Sequence, residues 1–389
     1  MHARRSERVV PRLIVETVVA SIGVALLACA IVANQGWLDR HFLPSFFMPP
    51  LWYARLELSV RILLAALGAA LVFIVRPRAG QFAARSAGLL RVAIAAVLAF
   101  GASELVLRYV RLPAAEWLVA DEEPRRRPDP RLGWTFEPSR TGRSTVGGRK
   151  IEYTIDAAGY RVRQADEPVD FDRPTILFTG ESVMFGEGLT WDETVPAQVG
   201  AMTGVQSANL AVHGFGTDQA YLRLEAELPR FRRPVAVVAL FMTALFGRNL
   251  DDDRPHLGPG LVWLPAQQRG RLASIARVLI PYRSDAVVDR GVAVTREILR
   301  AIVGLARAHG ATPLIVVPQL GPEAPAEAAL RRRILDDRGV PYVFVETDAA
   351  WRLAWDRHPN AQADRAIAAA VAARLQSGHD EEVRPPVRH

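Results

Sequence analysis

From Leu13 to Ala33 the chain is apolar apart from Glu16, Thr17 and Ser21, and Arg4, Arg5, Arg8 and Arg12 stand in front of it. About 20 such residues are what one helical crossing of a bilayer requires. A cleaved signal peptide would show a small-residue cleavage site leading into a mature domain; here more apolar chain follows. Ile62 to Val75 and Val92 to Ser103 are shorter, but their flanks Leu56 to Ser59 and Glu104 to Val110 extend them to spanning length. The expectation is a membrane region over residues 1–111 with about three transmembrane helices, at 13–33, 56–75 and 90–110.

Arginine placement orients these spans. The N-terminus and the loop holding Arg76, Arg78, Arg85 and Arg91 are the basic sides, and basic loops stay in the cytoplasm. The intervening segment carries Trp37, Phe46, Phe47, Trp52 and Tyr53, as an outer interfacial belt would. Three crossings, or one, put everything after about residue 111 outside the cytoplasm; two would reverse it. The expected location is therefore the cell membrane, multi-pass, with the soluble domain on the extracytoplasmic side.

The rest of the composition narrows the function classes. The net charge of +7 comes almost wholly from arginine, Lys150 being the sole lysine. No Arg-rich recognition helix or aromatic-interleaved basic stripe accompanies it, so nucleic acid is not an expected partner. Cys29, the single cysteine, lies in the first apolar run; the soluble part can hold no disulfide, zinc-thiolate site or cysteine nucleophile.

Residues 112–130, ending EEPRRRPDP, read as a linker, because proline and charge stop a helix or strand from continuing. A β-rich lead-in follows over 131–173, with the pieces GWTFEP and KIEYTID and turns at Gly147–Gly148 and Ala157–Gly159. From Pro174 strands and helices alternate. The strand-like runs PTILFT, VQSANLAV, PVAVVALFM, ATPLIVVPQ and PYVFVE are each mostly apolar, as strands covered on both faces must be. Helical patterns lie between and after them, at Asp192 to Met202, Asp218 to Leu228, Asp289 to His309, Glu323 to Arg338 and Ala361 to Leu375. Such alternation argues a parallel sheet with helices on both faces, over 174–376, with a disordered tail at 377–389.

Ligands in such sheets bind beyond the carboxyl ends of the strands, which is where Ser182 stands in ILFTGESVMFGEG. A serine just past a strand also makes a good helix N-cap. Its spacing is not that of the nucleophile elbow, which needs glycine where Met184 stands. A nucleophilic serine needs a base and the base an orienting group. After the last strand, WDRHPN supplies Asp356 and His358, two residues apart, at the same carboxyl edge. Alone, the pair would read as a solvated loop. Oxyanion donors could come from the backbone N–H of Ser182, from that of Gly214 in NLAVHGFGTDQ, and from Asn249. Gly214 and Asn249 could instead simply make turns. Asp251 to Asp253 with His256 are adjacent carboxylates that cannot all face one ion; neither metal nor cofactor is expected.

GESVMFGEGL, NLAVHGFGTDQ and DRHPNAQADRAIA, in this order, resemble the first, second and last blocks of the SGNH/GDSL hydrolase superfamily. The match covers roughly residues 174 to 375, and the lead-in with its GW and EY resembles what precedes it in membrane-linked bacterial members. The resemblance implies an α/β fold, a three-layer α/β/α sandwich around a five-stranded parallel sheet, here preceded by N-terminal transmembrane helices. It implies Ser182 as nucleophile, His358 as base, Asp356 as its partner and Gly214 as an oxyanion donor. Three departures stand out. Glu181 replaces the usual aspartate. The last block is Asp-x-His, as in polysaccharide O-acetylation enzymes, rather than Asp-x-x-His. The third-block asparagine is missing near Thr243 to Leu245, where Asn249 is the nearest substitute.

The function expected first is a membrane-anchored extracytoplasmic serine esterase acting on small acyl esters, including O-acetyl groups of surface glycans. An O-acyltransferase with the same triad, and an impaired SGNH-fold binding domain, are the alternatives.

Overall fold

The computed structural model describes residues 3–32, 37, 41, 50–83, 86–108, 122–146, 148–267, 269–279, 282–336, 339–354 and 357–377. The chain divides into two compact units.

The first unit holds α1 (Ala3–Val32), α2 (Pro50–Ala70) and α3 (Ser86–Leu107), with α2 running on through a π turn at Leu71–Val75 into Arg76–Ala83. Leu13–Val32 and Ala54–Ala79 are long and apolar enough to cross a membrane, and they coincide with the first two expected spans. The third expected span is shorter in its apolar part, Ile94–Leu107. Large apolar side chains on these helices, Leu63, Phe73 and Val97 among them, face outward, the reverse of a soluble core helix. At the crossing of α1 and α2, a Cβ on Gly23 would stand 2.9 Å from the carbonyl oxygen of Gly68. Small residues are what let two helices of this kind meet backbone to backbone. Arg61 Nε donates to Ala30 O across the same pair at 3.1 Å.

The second unit begins with an antiparallel ribbon of β1 (Arg126–Asp129) and β2 (Gly133–Phe136). β1 lies inside the range 112–130 expected as a linker, which is corrected here; residues 112–121 of that range fall outside the described residues. Pro128 does not prevent the strand because β1 pairs on one side only, and proline is tolerated on an edge.

The lead-in continues as β3 (Arg140–Val146), β4 (Arg149–Ile155) and β5 (Arg161–Val162). Then come β6 (Thr175–Thr179), α4 (Ser182–Phe185), α5 (Val195–Thr203), β7 (Gln206–Asn209), α6 (Thr217–Glu227) and β8 (Pro234–Leu240). A small hairpin, β9 (His256–Leu257) and β10 (Trp263–Leu264), precedes α7 (Arg271–Leu279) and α8 (Asp285–Ala308). The chain closes with β11 (Thr312–Leu320), α9 (Pro325–Leu335), β12 (Tyr342–Thr347) and α10 (Ala361–Ser377).

One sheet runs in the order β12-β11-β8-β6-β7-β5-β4-β3. Its first five strands are parallel, in agreement with the expected architecture. The sheet is larger than expected, because β5, β4 and β3 continue it antiparallel from the β7 edge. α5 and α10 pack together on one face and α6 and α8 on the other, giving three layers. Every residue of β6 is buried, as a strand covered by both helical layers must be. β6 lies between β7 and β8, so the strand order reverses beside it. That reversal opens a crevice at the carboxyl ends of β6 and β8.

Residues Arg269–Arg283, which include α7, group with the first unit. Within that unit Glu104 of α3 accepts from Arg271 N at 2.8 Å and from Leu272 N at 2.9 Å, capping two orphaned donors of α7. Residues 378–389 of the expected tail lie outside the described residues.

Candidate active site

β6 ends on Thr179, whose hydroxyl donates to Ala220 O at 2.9 Å. Gly180 then turns the chain with φ of 154°. A Cβ there would stand 2.7 Å from Leu240 Cβ of β8, so only glycine fits. The next residue answers the capping question. Glu181, not Ser182, is the N-cap of α4, its Oε1 accepting from Val183 N at 3.3 Å. Ser182 is the first helical residue, and its hydroxyl is left for other partners.

Those partners are two. Ser182 Oγ lies 2.8 Å from His358 Nε2 and donates to Glu181 Oε2 at 2.5 Å. Both Ser182 and His358 are buried. His358 is delivered by the loop after β12, which folds back on itself. Leu353 N donates to His358 O at 2.7 Å, and Asn360 N to Trp351 O at 3.1 Å. Asp356, the expected orienting residue, lies outside the described residues.

The second block runs alongside. Leu210 N donates to Phe178 O at 2.8 Å and Val212 N to Gly180 O at 3.3 Å, so the loop carrying Gly214 is stitched to the turn carrying Ser182. Gly214 has φ of 76°, a conformation that glycine adopts without strain.

Asn249 is placed differently from the expectation. Its Nδ2 donates to Thr217 Oγ1 at 2.9 Å and to Thr295 Oγ1 at 3.0 Å, while its Oδ1 accepts from Thr217 N at 2.9 Å. With both amide protons committed, it ties the first turn of α6 to α8 and has no donor to give an oxyanion.

Three groups here escaped the sequence reading. Glu187, two residues past α4, is largely buried, with its Oε2 against His213 Nε2. Its Oε1 accepts from Tyr153 OH at 3.3 Å. Burial pushes this carboxyl up, but His213, His358 and Arg161 together outweigh it and hold it below the ordinary carboxylate range. The His213 ring stands edge-on to Phe185, centroids 4.2 Å apart. Arg161 is fully buried and donates to Phe185 O, Gly186 O and Leu189 O at 2.7, 2.8 and 2.6 Å. Its guanidinium lies over the rings of Tyr153 and Phe185, and burial pushes it down to about 10. The third is Arg248, whose Nη1 donates to Glu181 Oε2 at 3.2 Å. Glu187 and His213 were visible as polar residues inside the first and second blocks; Arg161 and Arg248 gave no local signal.

Beside this turn, between the exits of β6 and β8, is a cavity of about 20 Å³, room for roughly one water-sized group. Gly180 and Glu181 line it together with Phe215, Leu240, Met242 and Phe246.

No protein-family model matches the chain, and no curated protein does. Several solved structures are similar to it in fold. One is a protein described as lipolytic, of the G-D-S-L family, from Desulfitobacterium hafniense DCB-2, with 12% identity, a TM-score of 0.35 and coverage of 52% of this chain and 98% of that one. Another is described as an arylesterase from Agrobacterium tumefaciens str. C58, with 17% identity, a TM-score of 0.33 and coverage of 52% and 98%. The acetyl xylan esterase Est2A of the rumen bacterium Butyrivibrio proteoclasticus has 12% identity and a TM-score of 0.33, over 55% of this chain and 66% of that one. At these values the likeness goes no further than architecture. The chemistry has to be read from the site's own atoms.

Proposed function

We propose that this protein is a membrane-anchored, extracytoplasmic serine esterase that cleaves small acyl esters, with O-acetylated surface glycans as the substrate class. The observation that carries the reading is the 2.8 Å approach of His358 Nε2 to Ser182 Oγ across 176 residues of chain, at the one crevice this sheet order creates. The Ser182 hydroxyl turns its one proton from Glu181 Oε2 to His358 Nε2, and Oγ attacks the ester carbonyl as His358 takes that proton. The tetrahedral oxyanion is met by the backbone N–H groups of Ser182 and Gly214. His358 then gives the proton to the leaving alcohol, and water repeats the sequence to free the acid. Asp356 orients the imidazole in this scheme.

The test of the chemistry is turnover of p-nitrophenyl acetate by the full chain in detergent, with Ser182→Ala as control. A wild type no faster than the control would defeat the proposal. Placement is tested separately. A C-terminal alkaline phosphatase fusion should be active and a GFP fusion dark; the opposite pattern overturns the three-span topology.

A further inference from the structure

The site just described has a deficit. The third-block asparagine is absent, Asn249 is committed to Thr217 and Thr295, and a carboxylate sits beside the nucleophile. Glu181 Oε2 accepts from Ser182 Oγ at 2.5 Å, and its side chain is only 9% exposed. A negative charge there opposes the oxyanion that must form two bonds away from Oγ, and the low local dielectric sharpens that opposition.

Arg248 answers both problems. Its Nη1 donates to the same Oε2 at 3.2 Å, and its side chain is 14% exposed. A guanidinium has five donors, and the bond to Glu181 uses one. Its position is also fixed from behind. Arg254 Nη2 donates to Arg248 O at 2.8 Å, and the two Arg254 Nη atoms reach the Asp218 carboxylate at 3.0 and 2.9 Å. The turn bearing Arg248 is thus tied to the start of α6.

We propose that Arg248 is a catalytic residue of this site, its guanidinium cancelling the Glu181 charge and donating to the oxyanion in the asparagine's place. This rests on the serine esterase reading. In the acylation step the Ser182 hydroxyl turns from Glu181 Oε2 to His358 Nε2, the bond from Oγ to the acyl carbon forms, the serine proton passes to His358 Nε2, and the carbonyl π pair moves onto oxygen. That oxygen accepts from Arg248 until the pair returns and the leaving alcohol departs with the proton from His358. Glu181 is the anchor that holds the guanidinium within reach of the reacting carbon.

The assignment makes charge, not shape, the property that matters. With p-nitrophenyl acetate and the full chain, Arg248→Gln should lower kcat about a hundredfold or more with KM within a few fold. Arg248→Lys, which keeps the charge and loses the fork, should lie between the two. Adding Glu181→Gln to Arg248→Gln should recover about tenfold in kcat, because the carboxylate is no longer left uncancelled. Guanidinium in the buffer should raise the kcat of Arg248→Gly, which a purely structural role would not allow; this readout survives even if Arg248→Gln folds poorly. If Ser182→Ala is inactive while both Arg248→Gln and Arg248→Lys stay within threefold of wild type, this assignment falls and the esterase reading stands. If wild type neither turns over ester nor is labelled by a fluorophosphonate, both fall.

Discussion

β6 and β8 leave the sheet side by side, and their exits are built differently. After β6 the chain makes a tight turn through Gly180 into the four buried residues of α4, and Arg161 seals it by binding three carbonyl oxygens. After β8 the chain relaxes into a 3₁₀ run, Thr243–Leu250, which side chains tie to its neighbours, Asn249 to α6 and α8 and Arg254 to Asp218. The first exit fixes a nucleophile through its backbone. The second presents a charge, at Arg248. Side-chain anchoring is what allows one donor to be exchanged for another there without disturbing the serine.

Several substitutions can break that contrast, starting with the largest effect. Ser182→Ala and His358→Ala should each lower kcat by roughly 10⁴-fold or more, and the double variant should lose no more than the worse single, since such groups act as a unit. Additive losses in steady-state kinetics would mean that the two residues do not share one step.

Gly180→Ala tests the rigidity of the β6 exit. The added Cβ meets Leu240 Cβ at 2.7 Å with φ at 154°, so the variant should lose about 3 kcal/mol of stability and most of its activity. Wild-type behaviour in urea unfolding would show that the turn is not close-packed.

Asn249→Ala should do less and do it differently. It leaves Thr217 N without its acceptor, at about 1–2 kcal/mol, while kcat of the folded fraction stays within a few fold. A hundredfold loss of kcat with unchanged stability would return Asn249 to the oxyanion hole.

The smallest effect lies at Asp364 of α10, which accepts from Val195 N at 3.2 Å. Burial raises its carboxyl well above the ordinary carboxylate range. The folded state therefore keeps a proton that the unfolded state has released, and stability from this group falls as pH rises above about 4. Asp364→Asn removes that slope, so the variant should gain Tm on wild type as the pH is raised from 4 to 8. Parallel melting curves at all pH values would show that Asp364 is ionised in the fold.

Much of this was legible in the sequence. Ser182 and His358 could be placed at one sheet edge because strand and helix periodicities are local, and each strand end follows from them. The five parallel strands and their helices were legible for the same reason. What was missed depends on distant pairing. Nothing near Arg161 shows that β5 joins β7 through the register Arg161↔Asn209, or that its guanidinium will reach the carbonyls beyond α4. The membership of α7 in the first unit turns on Glu104, more than 160 residues away. Asn249 looked like a donor because an amide's partners cannot be read from its neighbours in sequence.

The esterase reading stands on Ser182 being a nucleophile activated by His358. Treating the full chain with a fluorophosphonate and mapping the adduct by peptide mass spectrometry tests it directly. The prediction is one phosphonyl group on Ser182, absent from Ser182→Ala and greatly slowed in His358→Ala. An unmodified protein, or an adduct on another residue that persists in Ser182→Ala, would contradict it.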